Sequence, residues 1–157
     1  MTCCCNNEKV QIKYFKEDER AQIPTISYEK TSACHDLFCI EDTVIPARGS
    51  AMVPNGLRVI VPNGYYLKFA DRSGNGIKKK LQIHCGIIDS GYNGPLQICV
   101  FNMSDEDVVL ESGKGVCQVE VHKIPDYELC EATQEEWDEY CRTSIRGENG
   151  FGSSDKK

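Results

Sequence analysis

Two short segments of this 157-residue chain combine side chains that could bind and activate a phosphorylated ligand. The first is GIIDSGYNG at 86–94, in which Asp89 follows two isoleucines and lies between glycines. Glycines on both sides suggest a hairpin whose backbone comes close to a ligand, and Asp89 could then serve as a general base. The alternative is an ordinary Asp-Ser-Gly turn with no catalytic role.

The second segment, DRSGNG at 71–76, could form an anion-binding loop at a strand end. Arg72 can make paired hydrogen bonds to phosphate oxygens, and Ser73 and the amides after it can donate further hydrogen bonds. Because Ser-Gly turns are common, this segment alone is weak evidence of function.

A third candidate segment is RGENGFGSS at 146–154, near the end of the chain. Its glycines would let backbone N–H groups surround a phosphate, and Arg146 would add a charged donor. Phe151 could stack on a base, and the Gly-Lys-Ser/Thr pattern of a P-loop is absent. The segment is either a solvated tail or a segment that becomes ordered only when a ligand binds.

Composition narrows the class of protein. The length fits one domain, and the net charge of −6 argues against nonspecific binding to nucleic acid, which needs excess positive charge. No stretch approaches the roughly 20 apolar residues of a membrane helix, and the first ten residues have no apolar signal-peptide core. We therefore expect a cytoplasmic or nuclear protein with neither nucleic acid nor membrane as a partner.

Ten cysteines are an unusually high number for this length. The sequence lacks the matched Cys-x2-Cys pairs that would indicate a zinc site. Most of the cysteines are therefore interpreted as reduced thiols that act as small apolar residues. The run Cys3, Cys4 and Cys5 could bind a metal or carry an acyl chain, but residues 1–9 are predicted to be a disordered, cysteine-rich N-terminus.

Between residues 10 and 142, short apolar stretches alternate with turn sequences such as VPNG, which occurs at 53–56 and at 61–64. Short strands at this spacing predict an all-β sandwich or barrel. One segment, 133–142, has a helical pattern: Thr133 can cap it, and Trp137 and Tyr140 share a face that we expect to dock on the β domain. Residues 143–157 are predicted to form a flexible, glycine-rich C-terminal arm.

Taken together, these segments resemble the trimeric deoxyuridine triphosphatases, a family with five sequence motifs. The matching segments, in order, are SACHDLF at 32–38, DRSG at 71–74, GIIDSGYNG at 86–94, GKGVCQ at 113–118 and RGENGFGSS at 146–154. The resemblance implies a distorted jelly-roll-like β fold, a homotrimer with sites between subunits, and Mg²⁺-dependent hydrolysis of dUTP to dUMP and pyrophosphate. That reaction keeps uracil out of DNA and supplies dUMP for thymidylate synthesis.

The resemblance also implies roles for individual residues. Asp89 would hold the water that attacks the α-phosphorus, and Asp36 would position Mg²⁺ through a coordinated water. The residues implied to contact the phosphates are Arg72, Ser73, Gly74 and Gln118.

The nucleoside would be bound mainly by the third motif. The backbone of Gly86, Ile87 and Ile88 would read uracil, and Tyr92 would pack under the deoxyribose, leaving no room for a 2′-hydroxyl. Gln97 lies where the family has a residue that contacts the base.

The fifth motif implies that the arm acts as a lid over a neighbouring subunit's site. The arm residues implied to contact the nucleotide are Arg146, Phe151, Gly152 and Ser153, with Arg146 and Ser153 at the γ-phosphate and Phe151 over the uracil.

The chain departs from the family pattern in or directly after four of the motifs. In the third motif, Gly91 precedes the tyrosine, a mild change that loosens the turn. Cys34 replaces a glycine in the first, and Asn75 follows the second where better helix formers are usual. In the fourth, Lys114 and Gly115 replace an Asp-Arg pair, which could be a compensated change or a sign of weakened activity.

Two functional hypotheses follow. The first is an active dUTP diphosphatase, supported by the joint presence of Asp89, Tyr92, Arg146 and Phe151. The second is a nucleotide-binding or regulatory protein that keeps the fold but has lost turnover, suggested by Lys114 and Gly115. An adaptor without a ligand would leave the glycine-rich segments unexplained, and nothing indicates the related dCTP deaminase chemistry.

Overall fold

The fold is described from a computed structural model, which covers residues 9–29 and 31–149. Its eleven β-strands are β1 Lys13–Lys16, β2 His35–Phe38, β3 Thr43–Ile45, β4 Ser50–Pro54, β5 Leu57–Ile60, β6 Tyr65–Asp71, β7 Leu81–His84, β8 Ile87–Asp89, β9 Gln97–Asn102, β10 Val108–Leu110 and β11 Gly115–Lys123. Its two helices are α1 Ser73–Lys79 and α2 Gln134–Thr143.

The chain divides into two compact units, Met1–Pro125 and Asp126–Lys157. The first unit contains all the described strands and α1, and the second contains α2. Neither helix is long and apolar enough to cross a membrane.

Antiparallel pairing organises the first unit. The largest sheet has the order β2-β11-β6-β8, and a second sheet has the order β4-β9-β7. Two further pairs, β1 with β5 and β3 with β10, complete the described strands. This mostly-β, jelly-roll-like architecture confirms the predicted fold class, with one more helix than predicted.

Alternation along the strands separates the core from the outer face of the largest sheet. In β6, Leu67 and Phe69 are buried whereas Lys68 is exposed, and in β11 Val119 is buried between less buried neighbours. Each fully buried aliphatic or aromatic side chain of this kind contributes about 1.5–3 kcal/mol. The outer face is therefore free to carry polar side chains.

A buried amide anchors the first VPNG turn. Asn55 is fully buried, its Nδ2 donates to the Leu96 carbonyl at 2.7 Å, and its Oδ1 accepts from the Leu57 amide at 3.0 Å. Gly56 follows with a φ of +67°, a conformation that glycine adopts without strain. The turn is thus tied to the chain that leads into β9.

The prediction of a single helix was wrong, because α1 forms directly after Arg72. Two of its seven residues are glycines, which have poor helix propensity. A tertiary contact compensates: the Asn75 side chain donates to the carbonyls of Gly115 at 3.0 Å and Val116 at 2.8 Å. Lys80 then ends the helix in the left-handed region, with a φ of 56°.

Helix α2 begins and ends within one residue of the predicted bounds, and its prediction is confirmed. Thr133 and Glu136 form a capping box, in which the Glu136 amide donates to Thr133 Oγ1 at 3.2 Å and the Thr133 amide donates to Glu136 Oε2 at 2.7 Å. The docking of α2 on the β domain stays a prediction.

The hairpin predicted for 86–94 was wrong in its pairing. Strand β8 pairs with β6 in the largest sheet, whereas β9, after the turn, pairs with β4 and β7 in the second sheet. The segment is therefore a connection between two sheets.

Candidate active site

Asp36 is the centre of the first cluster of polar side chains. It lies on β2 and is only 6% exposed. Gln118 on β11 donates to its Oδ1 at 3.2 Å, and Ser27 donates to its Oδ2 at 3.4 Å. Asp36 is therefore a buried carboxylate held by donors from distant parts of the chain.

Arg72 completes this cluster from the junction of β6 and α1. Its Nη2 donates to Asp36 Oδ2 at 3.2 Å, and its Nε lies 3.1 Å from Oδ1. Its Nη1 donates to the Gly115 carbonyl at 2.9 Å. The side chain is 34% exposed, so solvent and ligands can reach the guanidinium. Ser73 and Gly74, which form the first turn of α1, are exposed beside it.

The structure thus brings together the predicted phosphate-region residues Arg72 and Gln118 and the predicted metal-positioning residue Asp36, with Ser73 and Gly74 directly after Arg72. Sequence reasoning missed Asn75 and Gly115 as members of the cluster and noted them only as departures from a family pattern. Both contact it directly, since Asn75 and Arg72 donate to the same Gly115 carbonyl. The sequence signal that could have identified Asn75 and Gly115 was their departure from the family pattern.

The second cluster surrounds β8. Gly86 packs on β6: its carbonyl accepts from the Phe69 amide at 2.7 Å, and a Cβ on Gly86 would lie 2.9 Å from the Phe69 carbonyl oxygen. Only glycine fits such an approach without a backbone shift. The close contact sets the position of Ile87, Ile88 and Asp89 immediately after it.

A cavity of about 220 Å³ opens beside β8. Its lining residues are Met52, Cys85, Ile87, Ile88, Asp89, Tyr92, Gln97 and Cys99. Ile87, Ile88, the exposed Asp89 and Tyr92 of the third motif therefore share one cavity, and Gly86 precedes it without lining it. Its volume and mixed apolar and polar lining suit a small ring.

Three lining residues were missed by the sequence analysis: Met52, Cys85 and Cys99. Cys85 adopts a φ of 52°, unusual for a residue with a side chain, at the bend between β7 and β8. Its position directly before Gly86 was a sequence signal that could have identified Cys85 as a lining residue. Met52 and Cys99 reach the cavity from paired positions on β4 and β9, which the sequence does not reveal.

Tyr92 is held in place by its own turn. Its hydroxyl donates to the Pro95 carbonyl at 2.9 Å. The ring lies over Gly94, where an added Cβ would come within 2.4 Å of the hydroxyl oxygen. Gly94 therefore makes room for the ring, and the ring face is fixed before any ligand arrives.

The two clusters lie at opposite edges of the largest sheet. Asp36 is on edge strand β2, and Asp89 is on edge strand β8. In the strand registers, Asp36 on β2 is paired with Gln118 on β11. Asp89 on β8 is paired with Tyr66 on β6, which is in turn paired with His122 on β11. Three strand spacings and four residues along β11 separate the carboxylates by about 20 Å. One chain therefore presents two separate groups of site residues.

Burial affects the ionisation of groups beneath the Asp36 cluster. Burial, reinforced by the nearby Asp36 carboxylate, raises the pKa of the Cys117 thiol far above its usual range. Burial also raises the pKa of Tyr14 to about 12, with a further contribution from Cys117. Cys117 is thus a neutral packing residue.

Arg146, in the second unit, makes a local turn. Its Nε donates to the Asn149 carbonyl at 2.8 Å, and Asn149 Nδ2 donates to the Arg146 carbonyl at 3.0 Å. The other predicted arm residues, Phe151, Gly152 and Ser153, lie outside the described residues, as do Cys3, Cys4 and Cys5.

In sequence, the chain is similar to proteins named deoxyuridine 5′-triphosphate nucleotidohydrolase. The relative from Oryza sativa subsp. japonica is 36% identical over 143 residues, covering 91% of this chain and 80% of the relative. The relative from Debaryomyces hansenii is 34% identical over 155 residues, covering 96% and 94%.

The fold is similar to solved dUTPase structures. The Staphylococcus bacteriophage 80alpha dUTPase with dUpNHpp has a TM-score of 0.73 and 26% identity, covering 91% of this chain and 97% of that one. A phage phi11 dUTPase variant described with a structural Mg(II) ion has a TM-score of 0.71 at 23% identity, covering 79% and 97%, and shares the fold. A family model described as dUTPase matches residues 19–155, and this chain belongs to the dUTPase family.

Proposed function

We propose that this protein hydrolyses dUTP to dUMP and pyrophosphate. The observation that carries the proposal is the cavity beside β8, which is lined by the Asp89 carboxylate, by Ile87 and Ile88, and by Tyr92, whose hydroxyl donates to the Pro95 carbonyl. Family membership supports the same reaction, since the relatives are named for it. A phosphate-binding arginine in a separate cluster supplies the remaining chemistry.

Asp89 acts as the general base in this proposal. It accepts a proton from a water molecule as the water oxygen bonds to the α-phosphorus, and the bond from that phosphorus to the bridging oxygen of the leaving pyrophosphate breaks. Arg72 and Gln118 donate to phosphate oxygens as negative charge moves toward the leaving group. Ser73 and Gly74 would contribute donors from the first turn of α1.

The cavity favours a pyrimidine deoxynucleoside. Backbone groups of Gly86, Ile87 and Ile88 would pair with the uracil edge, and Gln97 would contact the base from β9. Tyr92, whose hydroxyl donates to the Pro95 carbonyl, would lie under the sugar and leave no space for a 2′-hydroxyl. A ring that cannot move aside rejects the larger sugar more strongly than a mobile one.

The donor set is compatible with Mg²⁺ bound together with the triphosphate. Mg²⁺ keeps several waters and uses one or two carboxylates plus substrate phosphates, and Asp36 supplies one carboxylate. Both Asp36 oxygens already accept from protein donors, and the Ser27 contact at 3.4 Å is the longest. A metal-bound water would take the place of Ser27. When bound, the ion would neutralise phosphate charge.

We further propose that a complete site needs more than one copy of the chain, as in a homotrimer. A general base and a phosphate-binding arginine must act on the same triphosphate within hydrogen-bonding reach. The clusters of one chain are separated by about 20 Å on one sheet, so Asp89 of one copy would meet Arg72 of another. The arm residues Arg146, Phe151, Gly152 and Ser153 would then close over that shared site.

The alternative function is a dUTPase-fold protein that binds nucleotide with little turnover. The observation that favours it is the absence of the Asp-Arg pair at Lys114 and Gly115. Against it, the Gly115 carbonyl is already used by Arg72 and Asn75, so the region is internally satisfied without that pair.

Pyrophosphate release from dUTP tests the proposal, with UTP, dCTP and dTTP measured in parallel, in Mg²⁺ and in excess chelator. We expect Mg²⁺-dependent release from dUTP alone. Binding of dUTP without release would support the alternative, and neither binding nor release would contradict both.

A further inference from the structure

We propose that Asn75 and Gly115, the two residues that depart from the family pattern around Arg72, are positioning residues for that arginine. Together they hold the guanidinium against Asp36 with its outer edge free for a triphosphate. The inference deepens the proposed function and rests on it for the identity of the ligand.

The absence of a side chain at residue 115 is what makes room for Arg72. A Cβ on Gly115 would lie 2.1 Å from Arg72 Nη1 and 2.6 Å from Cζ, far inside van der Waals contact. Gly115 does not have a positive φ in this structure, so its conformation alone does not require glycine. Its role is therefore to leave space for the guanidinium.

The docked orientation leaves suitable donors for phosphate. A guanidinium has five N–H donors. Nε and one N–H of Nη2 face Asp36, and one N–H of Nη1 donates to the Gly115 carbonyl. One N–H on each terminal nitrogen has no partner within residues 9–29 and 31–149. These two N–H groups can donate charge-assisted hydrogen bonds to phosphate oxygens.

Asn75 supports the carbonyl on which Arg72 docks. Its Nδ2 donates to Gly115 O at 3.0 Å and to Val116 O at 2.8 Å. These carbonyls lie where the pairing of β11 with β2 is irregular, between Gly115 and Cys117. An irregular ladder leaves carbonyls without strand partners, so Asn75 fixes a segment that would otherwise be loosely held.

The first test measures binding of dUpNHpp and of deoxyuridine, which has no phosphates, to the full-length protein. Gly115→Ala should weaken dUpNHpp binding by about tenfold, because the displaced arginine loses a charge-assisted contact, and should leave deoxyuridine binding unchanged. Gly76→Ala is the matched control, since its Cβ would lie 3.8 Å from the nearest atom, the Leu81 carbonyl oxygen. Equal dUpNHpp affinity in Gly115→Ala and the unaltered protein would overturn the inference.

The second test asks whether both residues act through Arg72. Asn75→Ala should also weaken dUpNHpp binding selectively. In an Arg72→Ala background, adding Gly115→Ala or Asn75→Ala should change the affinity by less than about twofold, because the group they position is gone. If Gly115→Ala and Asn75→Ala weakened dUpNHpp binding as much in the Arg72→Ala background as in the unaltered protein, the inference would be overturned.

A third measurement needs no ligand and separates this inference from the proposed function. Hydrogen exchange at Arg72 Nε–H, followed by ¹⁵N NMR, should be faster in Gly115→Ala and Asn75→Ala than in the unaltered protein. Unchanged exchange in both variants would overturn the inference even if dUTP is hydrolysed. Faster exchange in a protein that does not hydrolyse dUTP would sustain it while the proposed function fails. If the Gly115→Ala variant does not fold, hydrogen exchange at Arg72 Nε–H in the Asn75→Ala variant alone tests the inference.

Discussion

Asp36 and Asp89 lie on the two edge strands of the same four-stranded sheet, about three strand spacings apart. Both project from the side of the sheet opposite Leu67 and Val119. Asp36 is joined to Arg72 by an ion pair, whereas Asp89 opens into the cavity that contains Tyr92. Under the proposed mechanism, one nucleotide would need both of these groups, which a single chain keeps apart.

Mixing two inactive variants tests whether the site is shared. Asp89→Asn and Arg72→Ala should each be nearly inactive alone. After joint unfolding and refolding at equal amounts, about a quarter of the sites should contain an intact Asp89 and an intact Arg72 from neighbouring copies. Pyrophosphate release measures the recovery. No recovery in mixed oligomers, with oligomer formation verified by light scattering, would contradict shared sites.

Asp89→Asn should retain dUTP binding but lose turnover by roughly 10²–10⁴-fold, the usual contribution of a general base. The amide keeps the shape of the carboxylate but cannot accept the proton. Binding is measured with dUpNHpp and turnover by pyrophosphate release. A near-normal rate would show that another group is the base.

Tyr92→Ala should admit UTP and reduce the preference for dUTP by at least about tenfold, because the ring that excludes a 2′-hydroxyl is removed. Tyr92→Phe is the matched control, since it keeps the ring and loses only the hydrogen bond to the Pro95 carbonyl. The ratio of kcat/KM for dUTP and UTP is the measurement. An unchanged ratio in Tyr92→Ala would place sugar selection elsewhere.

Truncation after Thr143 should sharply lower kcat/KM for dUTP and leave the oligomer intact, because it removes Arg146 and the residues after it. The body of the protein lies in the first unit, whose boundary is Pro125. Kinetics and light scattering on the same sample check both parts. Unchanged kinetics would mean that the arm takes no part in the reaction.

Tyr14 predicts a loss of stability at alkaline pH. Its folded pKa of about 12 is above its ordinary value of 10, so the unfolded chain loses the proton first. The stabilisation from the protonated Tyr14 is complete below pH 10 and is lost as the pH rises toward 12. The loss in the free energy of unfolding is about 1.4 kcal/mol at pH 11. Urea unfolding of Tyr14→Phe should show a correspondingly smaller decrease between pH 9 and 11. Equal slopes would contradict this assignment.

Local chemistry made much of this protein predictable from sequence. Thr133 caps α2 as predicted, and Glu136, three residues later, completes a capping box with it. The third motif lies within nine consecutive residues, and four of them, Ile87, Ile88, Asp89 and Tyr92, line one cavity. Alternating apolar residues likewise indicated strands before their partners were known.

Pairing between distant segments was not predictable in the same way. α1 contains two glycines and no side-chain cap at its N-terminus, and its Asn75 is held by carbonyls about 40 residues away along the chain. The glycines of the segment 86–94 favour a hairpin, but the strands before and after its turn, β8 and β9, belong to different sheets.

The side chains that could bind a nucleotide follow from residue types and short spacings, which are local properties of the chain. The docking of Arg72 on Asp36 and on the Gly115 carbonyl, and the position of Asp89 at the opposite sheet edge, follow only from the folded domain. Strand order and register depend on core packing summed over the whole domain, which no single segment encodes.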